Sequence, residues 1–224
     1  MLSRYQRVLD LSTFDENKLD ILRRTKVIVI GAGGVGQHVL TYLVTNGIEQ
    51  LTLVDFDKVE ISNLNRQILL KESDIGLPKS EAVKLALLAR NVDAKITSVN
   101  LKVTKDNINS LIDGYDVVVD AVDNWETKLI IAEATSLYPH QLHLHIGVDG
   151  EAGQYALFKN KSLLDIVDSS VKKEPKDGVL GPMVGTLASL GTLLLINYLV
   201  KNNEDADTLF SFDAKNNKIV KVKL

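Results

Sequence analysis

The chain has 224 residues, 45% hydrophobic and 25% charged, with a net charge of −3, which is the composition of one sizeable globular domain. It contains no cysteine, so disulfides, zinc–thiolate sites and cysteine nucleophiles are excluded within it. The near-neutral charge lacks the basic field that nucleic acid or an anionic membrane surface calls for, and neither is an expected partner.

Residues 1–25 read as a helical or irregular lead-in with apolar Leu19 and Leu22. The first seven residues lack the apolar core of a signal peptide, and a cytoplasmic location is expected. An apolar strand at 26–30, a glycine turn, a helix at 34–46 closed by Asn46-Gly47, and a strand at 51–55 make a βαβ unit. Residues 61–70 form a short irregular or helical piece. Pro78 precedes a helix at 79–91, followed by an alternating strand at 96–103. Thr104 is the expected N-cap of a helix ending at Ile112. A buried parallel-type strand covers 115–120, a helix 125–138, and strands 142–148 and 153–158.

The polar stretch 159–178 reads as a mobile loop or lid. The following segment, 179–200, has no charged residue and is long enough to span a bilayer. Its Thr186, Ser189, Thr192 and Asn197, and the helix start at Gly181-Pro182, favour a buried core or subunit-interface helix instead. A terminal hairpin is expected at 208–212 and 218–223, around Asn216-Asn217. The expected fold is therefore one α/β domain over 1–224. It has a Rossmann-like, mostly parallel sheet, helices on both faces, and antiparallel strands added on the C-terminal side. Its parts are the lead-in, a nucleotide-binding core at 26–158, the loop, and a C-terminal helix and hairpin at 179–224.

The stretch Gly31-Ala32-Gly33-Gly34-Val35-Gly36 carries the clearest chemistry. Gly31 makes a tight turn, Gly33 lets backbone approach phosphate, and Gly36 lets helix pack on strand. The helix N-terminus offers free N–H groups to an anion. Asp55, closing the second strand, is spaced to hold ribose hydroxyls. Further cations gather downstream: Arg66 within Ser62-Asn63-Leu64-Asn65-Arg66-Gln67, and Lys79 in the first turn after Pro78. A triphosphate needs such fixed cations, and arginine presents a planar donor fork. Asp120 and Asp123 in Asp120-Ala121-Val122-Asp123-Asn124 lie where ligands bind in open α/β sheets. Asp120 is expected to be partly structural, and Asp123 to hold Mg²⁺. His143, His145 and the nearby His140 are assigned to packing, with no metal role.

With Arg4-Tyr5-Gln6-Arg7, Leu53-Val54-Asp55-Phe56-Asp57, Gly153-Gln154 and Gly178 to Gly185, these motifs span nearly the whole chain. Together they resemble the ThiF/MoeB/HesA family, bacterial relatives of ubiquitin-activating enzymes. The resemblance implies an ATP- and Mg²⁺-dependent adenylyltransferase. It would activate the C-terminal carboxylate of a small ubiquitin-like carrier ending in Gly-Gly, release pyrophosphate, and work as a homodimer. It places Gly31, Gly33, Gly34, Gly36, Asp57 and Asn124 at the nucleotide, Asp55 at ribose, Asn63, Arg66 and Lys79 at phosphates, and Asp123 at Mg²⁺. Arg7 corresponds to an arginine that reaches the phosphates from the partner subunit. Family members commonly carry two Cys-x-x-Cys zinc pairs and some an acyl-accepting cysteine. With neither present, no zinc is expected, the loop and hairpin are expected to be held by packing alone, and the next nucleophile must come from another molecule. Two alternatives remain: a family enzyme acting on another carboxylate (a natural-product peptide or a modified tRNA nucleoside), and an NAD-dependent oxidoreductase.

Overall fold

In the computed structural model, which describes residues 3–167, 178–201 and 205–224, one eight-stranded sheet runs through the molecule in the order β3-β2-β1-β4-β5-β6-β7-β8. The strands are β1 (Lys26–Ile30), β2 (Gln50–Val54), β3 (Lys95–Val99), β4 (Val117–Asp120), β5 (Leu142–Asp149), β6 (Ala152–Phe158), β7 (Thr208–Asp213) and β8 (Lys218–Lys223). The first five are parallel; β6, β7 and β8 join antiparallel. The chain leaves β1 in one direction toward β2 and β3, and returns to its other side at β4. Ligand clefts of open α/β sheets form at such a reversal, beyond the carboxyl ends of the strands.

Helices cover both faces, so burial along β1, β2 and β4 runs on without alternation, polar Thr52 and Asp120 included. One core holds Val27, Val29, Leu40, Leu87 and Leu144 beneath α2 (Glu16–Arg24), α3 (Gly34–Thr45), α4 (Lys79–Leu88) and α7 (Gly181–Lys201). The opposite core holds Ile28, Ile30, Val118, Ile112 and Ile131 beneath α5 (Ile108–Ile112) and α6 (Trp125–Thr135). The lead-in folds as α1 (Gln6–Leu9) followed by α2. Helix α7 is apolar enough to cross a membrane by length and composition. Here it lies against α3, β5 and β6 and buries Val184, Leu187, Ala188, Gly191 and Leu195, as a core helix does.

Several ends differ from the sequence reading. The helix expected from Thr104 begins only at Ile108, because the Asn107 carboxamide accepts from the Thr104 N–H at 2.9 Å and donates to the Lys102 carbonyl. Such side-chain bonds compete with the helical ladder. Helix α4 stops at Leu88, and buried Asn91 turns to donate to the Tyr5 hydroxyl and the Val44 carbonyl. Strand β3 stops at Val99, and residues 100–103 leave the sheet for the cleft rim. Of the expected loop at 159–178, residues 168–177 lie outside the described residues.

More than packing holds the loop start to the hairpin. Asp207, at φ 56°, accepts from the backbone N–H groups of Lys159, Asn160 and Lys161 and from the Asn160 side chain. Burial pushes this carboxyl up, and the converging N–H donors outweigh that and hold it below the ordinary range.

Candidate functional site

A cleft of about 1000 Å³ opens at the carboxyl ends of the parallel strands. The glycine turn forms its floor. Gly31 sits at φ +95°, where a Cβ would lie 2.7 Å from the Ala121 carbonyl oxygen, so only glycine fits. Gly33 caps α3 without a side-chain hydrogen bond, and a Cβ added there would meet only the Gln67 Nε2, at an ordinary contact distance of 3.9 Å. Among the described residues the first N–H groups of α3 have no partner, which leaves them for an anion. Gly36 does not line the cleft, contrary to its assignment as a nucleotide contact. A Cβ there would come within 1.9 Å of the Gly31 carbonyl oxygen, so it acts through the packing of α3 on the turn.

Asp55 braces the turn from the end of β2. Its carboxylate accepts from the Ala32 N–H at 2.8 Å and the Asp57 N–H at 2.9 Å. Burial pushes its pKa up, while Lys79 and these two N–H donors oppose the shift. Lys79 is fixed by its position in the first turn of α4, where its own N–H bonds to the Asp57 carbonyl at 2.9 Å. Its ammonium is 2.9 Å from the Asp57 carboxylate and 3.9 Å from that of Asp55, with a side chain only 6% exposed. It is a partly neutralised cation at the wall of the cleft, held by two acids rather than by solvent.

Asn63 lies in the short turn Ile61–Asn63, where its Oδ1 accepts from the Glu60 N–H at 3.2 Å. Three residues on, the Arg66 guanidinium donates to the Ser62 carbonyl and the Asn65 Oδ1, both at 3.0 Å, and remains exposed to the cleft. Opposite, Asp123 is exposed on the loop after β4, and Asn124 caps α6 by accepting from the Thr127 N–H at 2.9 Å. The cleft therefore joins Gly31, Gly33, Gly34, Asp55, Asp57, Asn63, Arg66, Lys79, Asp123 and Asn124. Arg7 is left out: it stands on α1 with its side chain 98% exposed, 3.7 Å from Asp10. This donor set fits a nucleotide with a hard cation. The glycine turn and the start of α3 line the cleft, Arg66 and Lys79 line it as well, and Asp123 offers carboxylate oxygens of the kind Mg²⁺ takes.

Beneath the cleft lies a buried polar group that the sequence reading split up. Asp120 is fully buried; its Oδ1 is 3.0 Å from the Lys128 ammonium and its Oδ2 2.7 Å from His145 Nδ1. Burial would raise this carboxyl, but Lys128 and His145 more than offset it and hold it well below the usual range. Lys128 also donates to the Ile146 carbonyl at 3.0 Å. His145 is thus a polar partner, not a packing residue, and its Nε2 meets the Gln154 amide at 3.1 Å. Lys128 escaped the sequence reading, although a lysine one turn before the buried Ile131-Ala132 was a signal in itself. His143 does pack: its ring lies 5.5 Å from that of Phe158, and burial pushes its pKa down to about 3.

Burial lowers His145 as well. Both imidazoles are therefore neutral in the fold, while the unfolded chain takes up their protons below about pH 6.5. Stability is full above that pH and falls as pH drops through the window toward the folded values. From pH 7.5 to 5, His143 alone accounts for a loss of about 2 kcal/mol. Urea titrations at the two pH values check this, and His143→Leu should shrink the difference by about that amount; an unchanged difference would refute it.

Comparison with known proteins supplies the family. The ThiF family model matches residues 5–224. The molybdopterin-synthase adenylyltransferase of Salmonella typhimurium is 31% identical over 228 residues, covering 99% of this chain and 92% of that protein. The sulfur carrier protein adenylyltransferase of Thermus thermophilus is 35% identical over 162 residues, 72% of this chain and 59% of the relative. Among solved structures, E. coli MccB superposes with a TM-score of 0.88 at 22% identity, over 99% of this chain and 69% of its own; this is a likeness of fold. The chain belongs to the ThiF family.

Proposed function

We propose that the chain is an ATP-dependent adenylyltransferase that activates the C-terminal carboxylate of a small ubiquitin-like sulfur-carrier protein as an acyl-adenylate. The observation that supports this best is the meeting of the glycine turn, Asp55, Arg66, Lys79 and Asp123 around one cleft at the reversal point of the sheet. In this reading Asp55 holds ribose, and the free N–H groups at the start of α3 hold phosphate. Asn63, Arg66 and Lys79 take the negative oxygens that gain charge as the carboxylate attacks the α-phosphorus and pyrophosphate leaves. The reaction needs placed charge and orientation more than acid–base work. Mg²⁺ held by Asp123 would neutralise phosphate oxygens and the departing pyrophosphate. With no cysteine in the chain, the activated acyl group passes to a nucleophile of another molecule.

The enzyme works as a cytoplasmic homodimer in which Arg7 serves the partner's cleft. Its exposure outside the cleft of its own chain supports that arrangement. ATP–pyrophosphate exchange is the test. Exchange that depends on a Gly-Gly-ended carrier is expected; exchange only with a free peptide or a modified tRNA nucleoside would move the substrate to that class, and tight NADH binding without exchange would overturn the reading. A mixed dimer of Arg7→Ala and Asp123→Ala chains should recover about one working site per dimer if Arg7 acts across subunits. No recovery would place it in cis.

A further inference from the structure

The part of the cleft away from the glycine turn has a chemistry of its own. Gly147 on β5 pairs directly with Gln154 on β6, and Gln154 with Ser211 on β7, so the three share one face of the sheet. All three line the cleft. A Cβ at Gly147 would stand 3.5 Å from both Gln154 Cγ and His145 Nε2, in ordinary contact with each; glycine leaves that space unfilled.

The orientation of the Gln154 amide follows from the groups beneath it. Asp120 is acceptor-only, so the Nδ1 of His145 must carry a proton to donate to it at 2.7 Å. A neutral ring then has a bare Nε2, which can only accept. Gln154 must present its NH₂ there, at 3.1 Å. Its carbonyl end is left over, and among the described residues no donor reaches it. A side-chain carbonyl repels phosphate oxygens and accepts N–H groups. It also lies four strand spacings from Asp55, about 19 Å across the sheet, out of reach of a ribose held there.

We propose that Gln154 is a substrate-positioning residue for the acyl substrate, its carbonyl oriented by Asp120 and His145 to accept a backbone N–H of an extended, small-residue carboxyl-terminal tail lying along Gly147, Gln154 and Ser211. The proposal rests on the adenylation reading for the fate of that tail but not for its binding. A synthetic peptide ending in Gly-Gly carboxylate is titrated by calorimetry into the full chain with a non-hydrolysable ATP analogue, then the same peptide N-methylated at each tail amide in turn. Methylation of one amide should weaken binding to the wild type by about tenfold, the value of one neutral hydrogen bond, and binding to Gln154→Ala much less. Gln154→Met should behave like alanine despite its length, and affinity for the ATP analogue should not change in either variant. Equal methylation losses in wild type and variants overturn the proposal, as does failure of the wild type to bind any such peptide. Carrier-dependent exchange without this coupling would sink the proposal and leave the activity standing; coupling without exchange would do the reverse.

Discussion

Lys79→Ala is expected to lower carrier-dependent ATP–pyrophosphate exchange by about 100- to 1,000-fold, the usual cost of deleting one preorganised donor to a developing negative charge. Lys79 is preorganised to an unusual degree. Its backbone is pinned to the Asp57 carbonyl, its stem is buried, and its ammonium sits between Asp57 and Asp55 at 2.9 and 3.9 Å. Water cannot replace it cheaply at that depth. The loss should fall on exchange rather than on folding, because Asp57 is half-exposed and Asp55 keeps the Ala32 and Asp57 N–H donors. Without the lysine, burial acts on the Asp55 carboxyl with less opposition, and its pKa should rise further. Exchange assayed beside a thermal melt separates the two effects. Near-wild-type exchange would remove Lys79 from the phosphate site.

Lys128→Ala should be the most damaging change to the fold. It deletes the cationic partner of fully buried Asp120 and leaves the carboxylate to His145 and a long hydrogen bond from the Val122 N–H. Breaking a buried pair from one side costs about 3–5 kcal/mol, since the remaining charge has no water to return to. For a chain of 224 residues, that is a fall in Tm of about 6–20 °C. The damage should be strongly non-additive with Asp120→Asn, because the second change removes the stranded charge itself. A Tm within about 2 °C of wild type, or additive losses in the double variant, would show that the pair carries no such load.

The site was legible wherever its residues were close in sequence or carried a backbone requirement. The glycine turn announced itself because Gly31 needs a positive φ that side chains rarely adopt, and Gly36 a contact that a Cβ would break. Lys79 could be placed because Pro78 fixes where α4 begins. Asn63 and Arg66 lay within one turn of each other. What failed were ends and partners. Helix α5 starts late because a single asparagine captured the turn before it, and Lys128 went unread because its partner Asp120 stands on another element.

The sequence by itself determined the βαβ start, the sheet-and-helix alternation and the glycine turn, because period, glycine geometry and capping are local properties that a short window records. Only the tertiary structure decided that Asp120, Lys128, His145 and Gln154 form one chain running from a buried carboxylate to the cleft wall. Those residues come from β4, α6, β5 and β6, and the parallel register that sets Asp120 beside His145 joins positions 25 residues apart. No local period encodes that pairing. It exists because a buried carboxylate must find partners once the packed sheet has shut out water.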